Sequence, residues 1–137
     1  MTTNEFQRLR TSAEPAEAAA PGLDPAALAR LAELDPTGQN QLLERVLQAF
    51  QTSAARLALQ LDAARLSVDR ATIRLVAHTL KSSSASIGAI ELSQHCAQVE
   101  ALIRAESGDD LDARVEAMCT ALAAALNAIQ RLLDDRS

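Results

Sequence analysis

Aromatic residues are almost missing from this chain: it has no tryptophan or tyrosine, and Phe6 and Phe50 are its only phenylalanines. β-Strands are rich in aromatic and β-branched side chains, whereas alanine, leucine, glutamine, glutamate and arginine favour helices. Of the 137 residues 48% are hydrophobic, and alanine supplies much of that share. The composition therefore predicts an all-α protein with one domain and a tail.

Cysteine and basic charge are also scarce. Cys96 and Cys119 are too few for a disulfide framework and lie in helical apolar patterns, so we expect buried free thiols in a reducing compartment. The net charge of -5 leaves no basic face for nucleic acid. No apolar run has the length of a transmembrane helix or the form of a signal peptide. We therefore expect a cytoplasmic protein that binds neither nucleic acid nor membrane.

The start of the chain contains little that could be buried. Residues 1–22 are rich in alanine, glutamate and threonine and include two prolines, which predicts a disordered tail before a helical domain over residues 23–137. The first predicted helix, α1, begins with Asp24 as its N-cap and Pro25 in its first turn. Asp35-Pro36 is predicted to end α1 and to begin α2 by the same device.

Apolar residues recur every three or four positions through four longer segments, which is the pattern of amphipathic helices. These segments are α2 at about 37–65, α3 at about 69–87, α4 at about 89–107 and α5 at about 110–133. The predicted apolar positions are Leu28, Leu31 and Leu34 in α1; Leu43, Val46, Leu47, Phe50, Ala54, Leu57, Leu61 and Ala64 in α2; Ile73, Val76, Leu80 and Ile87 in α3; Leu92, Cys96, Val99 and Ile103 in α4; and Leu111, Val115, Met118, Leu122, Leu126, Ile129 and Leu133 in α5. Such helices with short connections predict an antiparallel four-helix bundle of up-down-up-down topology, capped at one end by the short α1.

One stretch of α3, AHTLKSSSASIGA, departs from the apolar pattern. An α-helix turns by about 100° per residue. With Arg74 at zero, the nearby positions are His78 at ~40°, Lys81 at ~-20°, Ser82 at ~80° and Ala85 at ~20°. The apolar residues of α3 fall between about 200° and 260°. His78 is therefore predicted on the solvent side of α3, opposite the core.

An exposed histidine in these surroundings can act as a nucleophile. A neutral imidazole, which prevails at physiological pH because its ordinary pKa is near ~6.5, can attack an acyl phosphate and hold the phosphoryl group as a phosphoramidate. Ser82 and Ala85 are small enough to leave room for a partner. Arg74 and Lys81, the only lysine of the chain, supply positive charge for phosphoryl oxygens.

The serine run from Ser82 to Ser84 is unusual inside a helix. Ser83 is predicted to face the apolar side, where a small side chain permits close helix packing. A catalytic serine needs a base and an oxyanion site, and neither pattern is present. We expect no metal site, because the adjacent His95 and Cys96 point about 100° apart on a helix. His95 is expected to be a partly buried packing residue.

The residues from His78 to Ser84, followed by Gly88-Ala89, Leu92, Cys96 and Glu100, resemble the signature of histidine-containing phosphotransfer (HPt) domains. The resemblance includes Leu23-Asp24-Pro25 and Asp35-Pro36 and covers roughly residues 23–133. It implies a monomeric four-helix bundle that carries phosphoryl groups and has no kinase activity of its own.

Carried over residue by residue, the resemblance implies that His78 is phosphorylated, that Lys81 stabilises the phosphoryl group and that Glu100 orients the imidazole. Glu100 also fits an ordinary solvated glutamate paired with the arginine four residues later. Ser82 departs from the family, which usually has glycine directly after the lysine; its side chain could slow docking or donate a hydrogen bond to the phosphoryl group. We expect a docking surface around His78 that comprises Arg74, Leu75, Ser82, Ala85 and Gly88; of these, Gly88 matches the family's glycine at the end of the active-site helix region.

The implied partners are response-regulator receiver domains and hybrid histidine kinases, with phosphoryl transfer from one receiver aspartate to another. No cofactor is expected on this chain, and Mg²⁺ is expected on the receiver. The alternative is a helical adaptor that binds receiver or kinase domains through the same face without being phosphorylated. The phosphoacceptor region of a histidine kinase is not favoured, because Thr79 follows His78 where an acidic residue is usual, and no proline follows.

Overall fold

A computed structural model describes residues 22–106 and 110–136. This part of the chain contains no β-strand and forms five α-helices: α1 at Pro25–Glu33, α2 at Leu42–Ser67, α3 at Arg70–Ser86, α4 at Ile90–Arg104 and α5 at Leu111–Arg136. The predicted tail, residues 1–22, lies outside the described residues apart from Gly22. None of the described helices is both long and apolar enough to cross a membrane.

The four longer helices pack as a ring in which α2 contacts α3, α3 contacts α4, α4 contacts α5, and α5 contacts α2. The short connections at residues 68–69 and 87–89 reverse the chain at once, so the helices that they join are antiparallel. The predicted all-α, up-down-up-down bundle is therefore confirmed. The short α1 packs against α2 at one end of the bundle.

The core is aliphatic and draws on every long helix. Its largest fully buried apolar side chains are Leu47, Leu61, Leu80, Ile87, Leu92, Met118 and Ile129. Among the predicted apolar positions, six are only half-buried: Leu28, Leu31, Val46, Ile103, Leu126 and Leu133. In α5 the small Ala125 and Ala128 are buried instead. A methyl group occupies little volume, which allows α5 to pack closely against its neighbours.

The start of α2 differs from the prediction. Turns occupy residues 34–41, so the helix begins at Leu42 and not at 37. Asp35 still caps α2: its carboxylate accepts hydrogen bonds from the backbone N–H of Asn40 at 3.2 Å and of Leu42 at 3.1 Å. The prediction was wrong because the capping carboxylate reaches the helix start across a turn. Leu34, predicted as apolar contact of α1, is 73% exposed because α1 ends before it.

Both ends of α3 are fixed by specific contacts. At its start the carboxylate of Asp69 accepts hydrogen bonds from the backbone N–H of Thr72 at 3.2 Å and from its hydroxyl at 2.7 Å. After its end Gly88 has a φ of 84°, and its carbonyl accepts a hydrogen bond from the N–H of Asp24 at 2.7 Å. A Cβ on Gly88 would lie 2.8 Å from that nitrogen. This position therefore needs glycine for its backbone conformation and for close approach.

The serine of α3 that faces the core is Ser84, not Ser83. Ser84 is fully buried, whereas Ser83 is half-buried and donates its hydroxyl to the carbonyl of Thr79 at 3.2 Å. Ala77 is also fully buried. Around the axis of α3, the centre of the buried side is therefore rotated towards Ser84, by a few tens of degrees from the direction that the larger apolar residues alone predict.

Candidate functional site

His78 lies near the middle of α3 on the side away from the core. Its side chain is 58% exposed, whereas Val76, Ala77 and Leu80 around it in the sequence are buried. The ring is held on one side only: Nδ1 lies 2.8 Å from Oε2 of Glu100 on α4. Nε2 has no hydrogen-bond partner within residues 22–106 and 110–136. The exposed ring is therefore oriented by one buried side chain of the next helix.

Glu100 is the buried centre of the site, with only 2% of its side chain exposed. Its carboxylate accepts hydrogen bonds from Lys81 Nζ at 2.7 Å, from His78 Nδ1 at 2.8 Å and from Arg104 Nη2 at 3.1 Å. A buried charge is costly unless it is paired, and these three donors pair it. The hydrogen bond from Lys81, with a smaller contribution from His78, lowers the pKa of Glu100 from 4.5 to about 2 against the opposing effect of burial. The carboxylate is therefore ionised at neutral pH.

The ionised carboxylate decides which nitrogen of the neutral imidazole carries the proton. A carboxylate only accepts hydrogen bonds, so Nδ1 of His78 donates the proton in the bond to Glu100. The free lone pair is then on Nε2. The carboxylate also stabilises the positive charge that the ring gains when Nε2 bonds to an electrophile. The site can thus present a nucleophilic nitrogen to an incoming group.

Lys81 lies one turn after His78, with 36% of its side chain exposed. Its Nζ donates to Oε1 of Glu100, so Lys81 and His78 each hold one oxygen of the same carboxylate. An ammonium has three N–H groups, so two remain that do not point to Glu100. Ser93 on α4 donates its hydroxyl to the backbone carbonyl of Lys81 at 2.9 Å and so fixes this turn of α3.

The bond between Lys81 and Glu100 and the contact from Ser93 were not predicted from the sequence. The helical repeat gives the face of its own helix on which a residue lies. It does not give the residues of the neighbouring helix that lie opposite. A polar residue at the edge of the apolar stripe of α4, as Ser93 is, was the only available signal.

The remaining predicted site residues divide into two groups. Those exposed on α3 around His78 are Arg74, Leu75, Ser82 and Ala85. Arg74 has no hydrogen bond or ion pair with another described residue. Gly88 is not on this surface: it lies beyond the end of α3 and is buried against the start of α1.

The second histidine and the two cysteines lie elsewhere. His95 is half-buried on α4, and its Nδ1 is buried without a hydrogen-bond partner in the part of the chain that the structure describes. Both thiols are free; Cys96 is fully buried and Cys119 half-buried. Burial raises the pKa of Cys96 to about 12. Among the described residues, no group of three histidine, cysteine, aspartate or glutamate side chains is placed to hold a metal ion.

Comparisons with known proteins agree with this fold. Residues 41–133 match the family model of the Hpt domain. The crystal structure of histidine-containing phosphotransfer protein B (HptB) from Pseudomonas aeruginosa PAO1 is similar, with a TM-score of 0.74 and 25% sequence identity over 85% of this chain and 97% of that one. A search of curated proteins found no match to this chain. Since the matched region runs from the start of α2 almost to the end of α5 and includes His78, Lys81 and Glu100, the chain belongs to the Hpt domain family.

Proposed function

We propose that this protein is a phosphorelay intermediate that accepts a phosphoryl group on His78 from an aspartate of one receiver domain and passes it to another receiver domain. The observation that carries the proposal is the contact of His78 Nδ1 with the buried Glu100, which leaves the lone pair on Nε2 of an exposed ring. Membership in the Hpt family supports it, as does the similarity to HptB, whose name describes a histidine-containing phosphotransfer protein.

In the proposed first step, Nε2 of His78 attacks the phosphorus of an aspartyl phosphate. A P–N bond forms, the P–O bond to the aspartate breaks, and the aspartate leaves as a carboxylate. The ring keeps its Nδ1 proton and gains positive charge, which the ionised Glu100 stabilises. No proton leaves the ring, so the same geometry serves the return step. There a second aspartate attacks the phosphorus, and His78 leaves as neutral imidazole.

Lys81 is proposed to bind the phosphoryl oxygens. Its ammonium can keep one N–H on Glu100 and direct another towards the group on His78, because the two side chains share that carboxylate. Further positive charge is expected from Mg²⁺ on the receiver domain, and we propose no cofactor on this chain. The protein is then a carrier: the phosphoryl group comes from a partner, a receiver domain or a hybrid histidine kinase, and not from a kinase activity of its own.

The partner is proposed to dock on the face of α3 around His78. Ser82 and Ala85 leave the ring accessible, and Leu75, which is 62% exposed, offers an apolar contact. Leu75→Arg should slow transfer from a receiver. The matched control is Leu34→Arg, at a leucine that is 73% exposed at the end of α1. Equal rates for the wild type and Leu75→Arg would contradict this docking face.

The phosphoacceptor role is tested by incubation with phosphorylated receiver domains from the source genome. We expect the protein to acquire a label that is stable in base and labile in acid, as a phosphoramidate is. The label should be lost in His78→Gln and kept in His95→Gln, the matched control at the other histidine. A protein that binds the receiver but takes no label would favour the adaptor function instead.

A further inference from the structure

Ser82 has a hydroxyl group without a hydrogen-bond partner among residues 22–106 and 110–136. Ser83 and Ser86 donate their hydroxyls to the carbonyls four residues earlier, Thr79 at 3.2 Å and Ser82 at 3.1 Å. Such bonds turn a serine side chain back towards its own helix. Ser82 is exposed, and its Oγ makes no corresponding bond to His78 or to any other described residue. Its hydroxyl is therefore free to bind a group from outside the fold.

Helix geometry places this hydroxyl next to the reactive ring. Residues at i and i+4, as His78 and Ser82 are, have Cβ atoms about 5–6 Å apart. Side chains on a helix lean towards its N-terminus, so Ser82 leans over the turn that carries His78. Around the axis, Lys81 lies about 60° to one side of His78 and Ser82 about 40° to the other.

The orientation of the ring directs its reactive nitrogen away from α4. Nδ1 of His78 and Nζ of Lys81 both bind the carboxylate of Glu100, which belongs to α4. Nε2 is the nitrogen farther from Glu100. A phosphoryl group on Nε2 therefore lies over the exposed surface of α3, between Lys81 on one flank and Ser82 on the other.

We propose that the Ser82 hydroxyl donates a hydrogen bond to an oxygen of the phosphoryl group on His78 and thereby prolongs the lifetime of the phosphorylated protein. The inference rests on the proposed phosphorylation of His78. It assigns a role to the side chain itself: Lys81 supplies charge to the phosphoryl oxygens, and Ser82 adds a neutral donor from the opposite side.

The direction of the effect follows from the chemistry of hydrolysis. The oxygen of water bonds to phosphorus, the P–N bond breaks, its electron pair returns to Nε2, and inorganic phosphate leaves with the oxygen and protons of the water. In a loose, metaphosphate-like transition state the phosphoryl oxygens carry less negative charge than in phosphohistidine. A donor such as Ser82 therefore stabilises the phosphorylated state more than the transition state. The loss of one such bond should speed hydrolysis about threefold to tenfold.

The test uses the full chain in a His95→Gln background, so that only His78 can carry a label. Phosphoramidate serves as the donor: Nε2 bonds to phosphorus and ammonia leaves. The decay of phosphohistidine is followed by ³¹P NMR for the wild-type Ser82, for Ser82→Ala and Ser82→Thr, and for the control Ser86→Ala. Circular dichroism checks that every variant is helical.

Ser82→Ala should lose phosphate about threefold to tenfold faster than the wild type and show a shifted phosphohistidine resonance. Ser82→Thr keeps the hydroxyl and should retain a wild-type lifetime, as should Ser86→Ala. Equal or longer lifetimes in Ser82→Ala would overturn the role of Ser82 while leaving the phosphoacceptor role of His78 intact. The absence of any label on His78 from phosphoramidate and from phosphorylated receivers alike would overturn both proposals.

Discussion

Replacement of Glu100 by glutamine should slow phosphoryl transfer to His78 far more than it destabilises the bundle. Glutamine has almost the same shape as glutamate, so the packing around position 100 is kept. The amide, however, has a single acceptor oxygen for the three donors that now bind the carboxylate. Its NH₂ group can also face Nδ1 of His78. The imidazole proton must then move to Nε2, and the nucleophilic lone pair is lost.

The effect on stability is limited by the exposure of the partners. The side chains of Lys81, His78 and Arg104 are 36%, 58% and 65% exposed, so water can solvate them when the carboxylate is gone. Exposed ion pairs contribute roughly 0–1 kcal/mol each, and removal of a buried charge recovers part of its desolvation cost. We therefore expect the free energy of unfolding to fall by only about 1–2 kcal/mol.

The effect on transfer is larger because ring orientation and charge stabilisation are lost together. A buried carboxylate that orients a catalytic histidine can contribute about 10⁴-fold to the rate. The ring of His78 is more than half exposed, so the field of Glu100 is partly screened by water. We expect a transfer rate lower by about 10- to 100-fold, which corresponds to about 1.4–2.7 kcal/mol in the activation barrier.

Single-turnover transfer from a phosphorylated receiver, with urea unfolding in parallel, measures both effects of Glu100→Gln. The matched control is Glu91→Gln, which removes one negative charge from the exposed start of α4 without touching His78. A folded Glu100→Gln protein that transfers within about twofold of the wild-type rate would refute the argument that this contact prepares the nucleophile. If both variants slowed transfer equally, the effect would come from the loss of a negative charge on α4 and not from the contact with His78.

Three further outcomes follow from the structure. Because the pKa of Glu100 falls from 4.5 to about 2 in the fold, its contribution to stability is complete above about pH 4.5 and is lost as the pH falls towards 2. Between about pH 7 and about pH 3, urea unfolding should therefore show a larger fall in the free energy of unfolding for the wild type than for Glu100→Gln. An equal fall in the two proteins would contradict this. Gly88→Ala should lower the free energy of unfolding by about 2–4 kcal/mol, because a Cβ would strain a φ of 84° and lie 2.8 Å from a backbone nitrogen. Gly38→Ala, at a φ of 73° with nothing within 4 Å, should cost only about 1 kcal/mol, and similar losses in the two variants would argue against the close contact. Burial raises the pKa of both thiols, that of Cys96 to about 12, and only Cys119 is partly accessible, so thiol reagents should modify Cys119 before Cys96. Peptide mass spectrometry of a time course checks the order, and simultaneous modification would contradict it.

The start of a helix could be predicted from the sequence where the residue that caps it lies directly before it. The start of α3 follows from Asp69 because that carboxylate caps the helix directly after it. The start of α2 did not follow from Asp35, although Asp35 caps it. A capping residue shows that free N–H groups are near, but not how many turn residues lie between. The boundary therefore depended on a local turn that the hydrophobic pattern does not describe.

The candidate site divides in the same way. His78 and Lys81 lie on one helix, and a fixed rotation per residue places both on its exposed side. Glu100 is on another helix, and the sequence connected it to His78 only through the family resemblance. Its position opposite His78 depends on the rotation and offset between α3 and α4, which the packing of their buried apolar residues against each other helps to set. A periodic pattern on either helix alone does not contain that information.

The sharing of Glu100 has a consequence for how the site receives a phosphoryl group. An incoming phosphoryl dianion would be repelled by a carboxylate whose charge was not neutralised. Here Lys81 and Arg104 both bind that carboxylate, and Arg104 lies four residues after Glu100 on the same helix. When Lys81 directs a donor towards the phosphoryl group, Arg104 therefore keeps the buried charge paired. In the proposed transfer the dianion is then accepted without protonation of Glu100, and we expect the bond that holds Nδ1 of His78 to persist before and after phosphorylation.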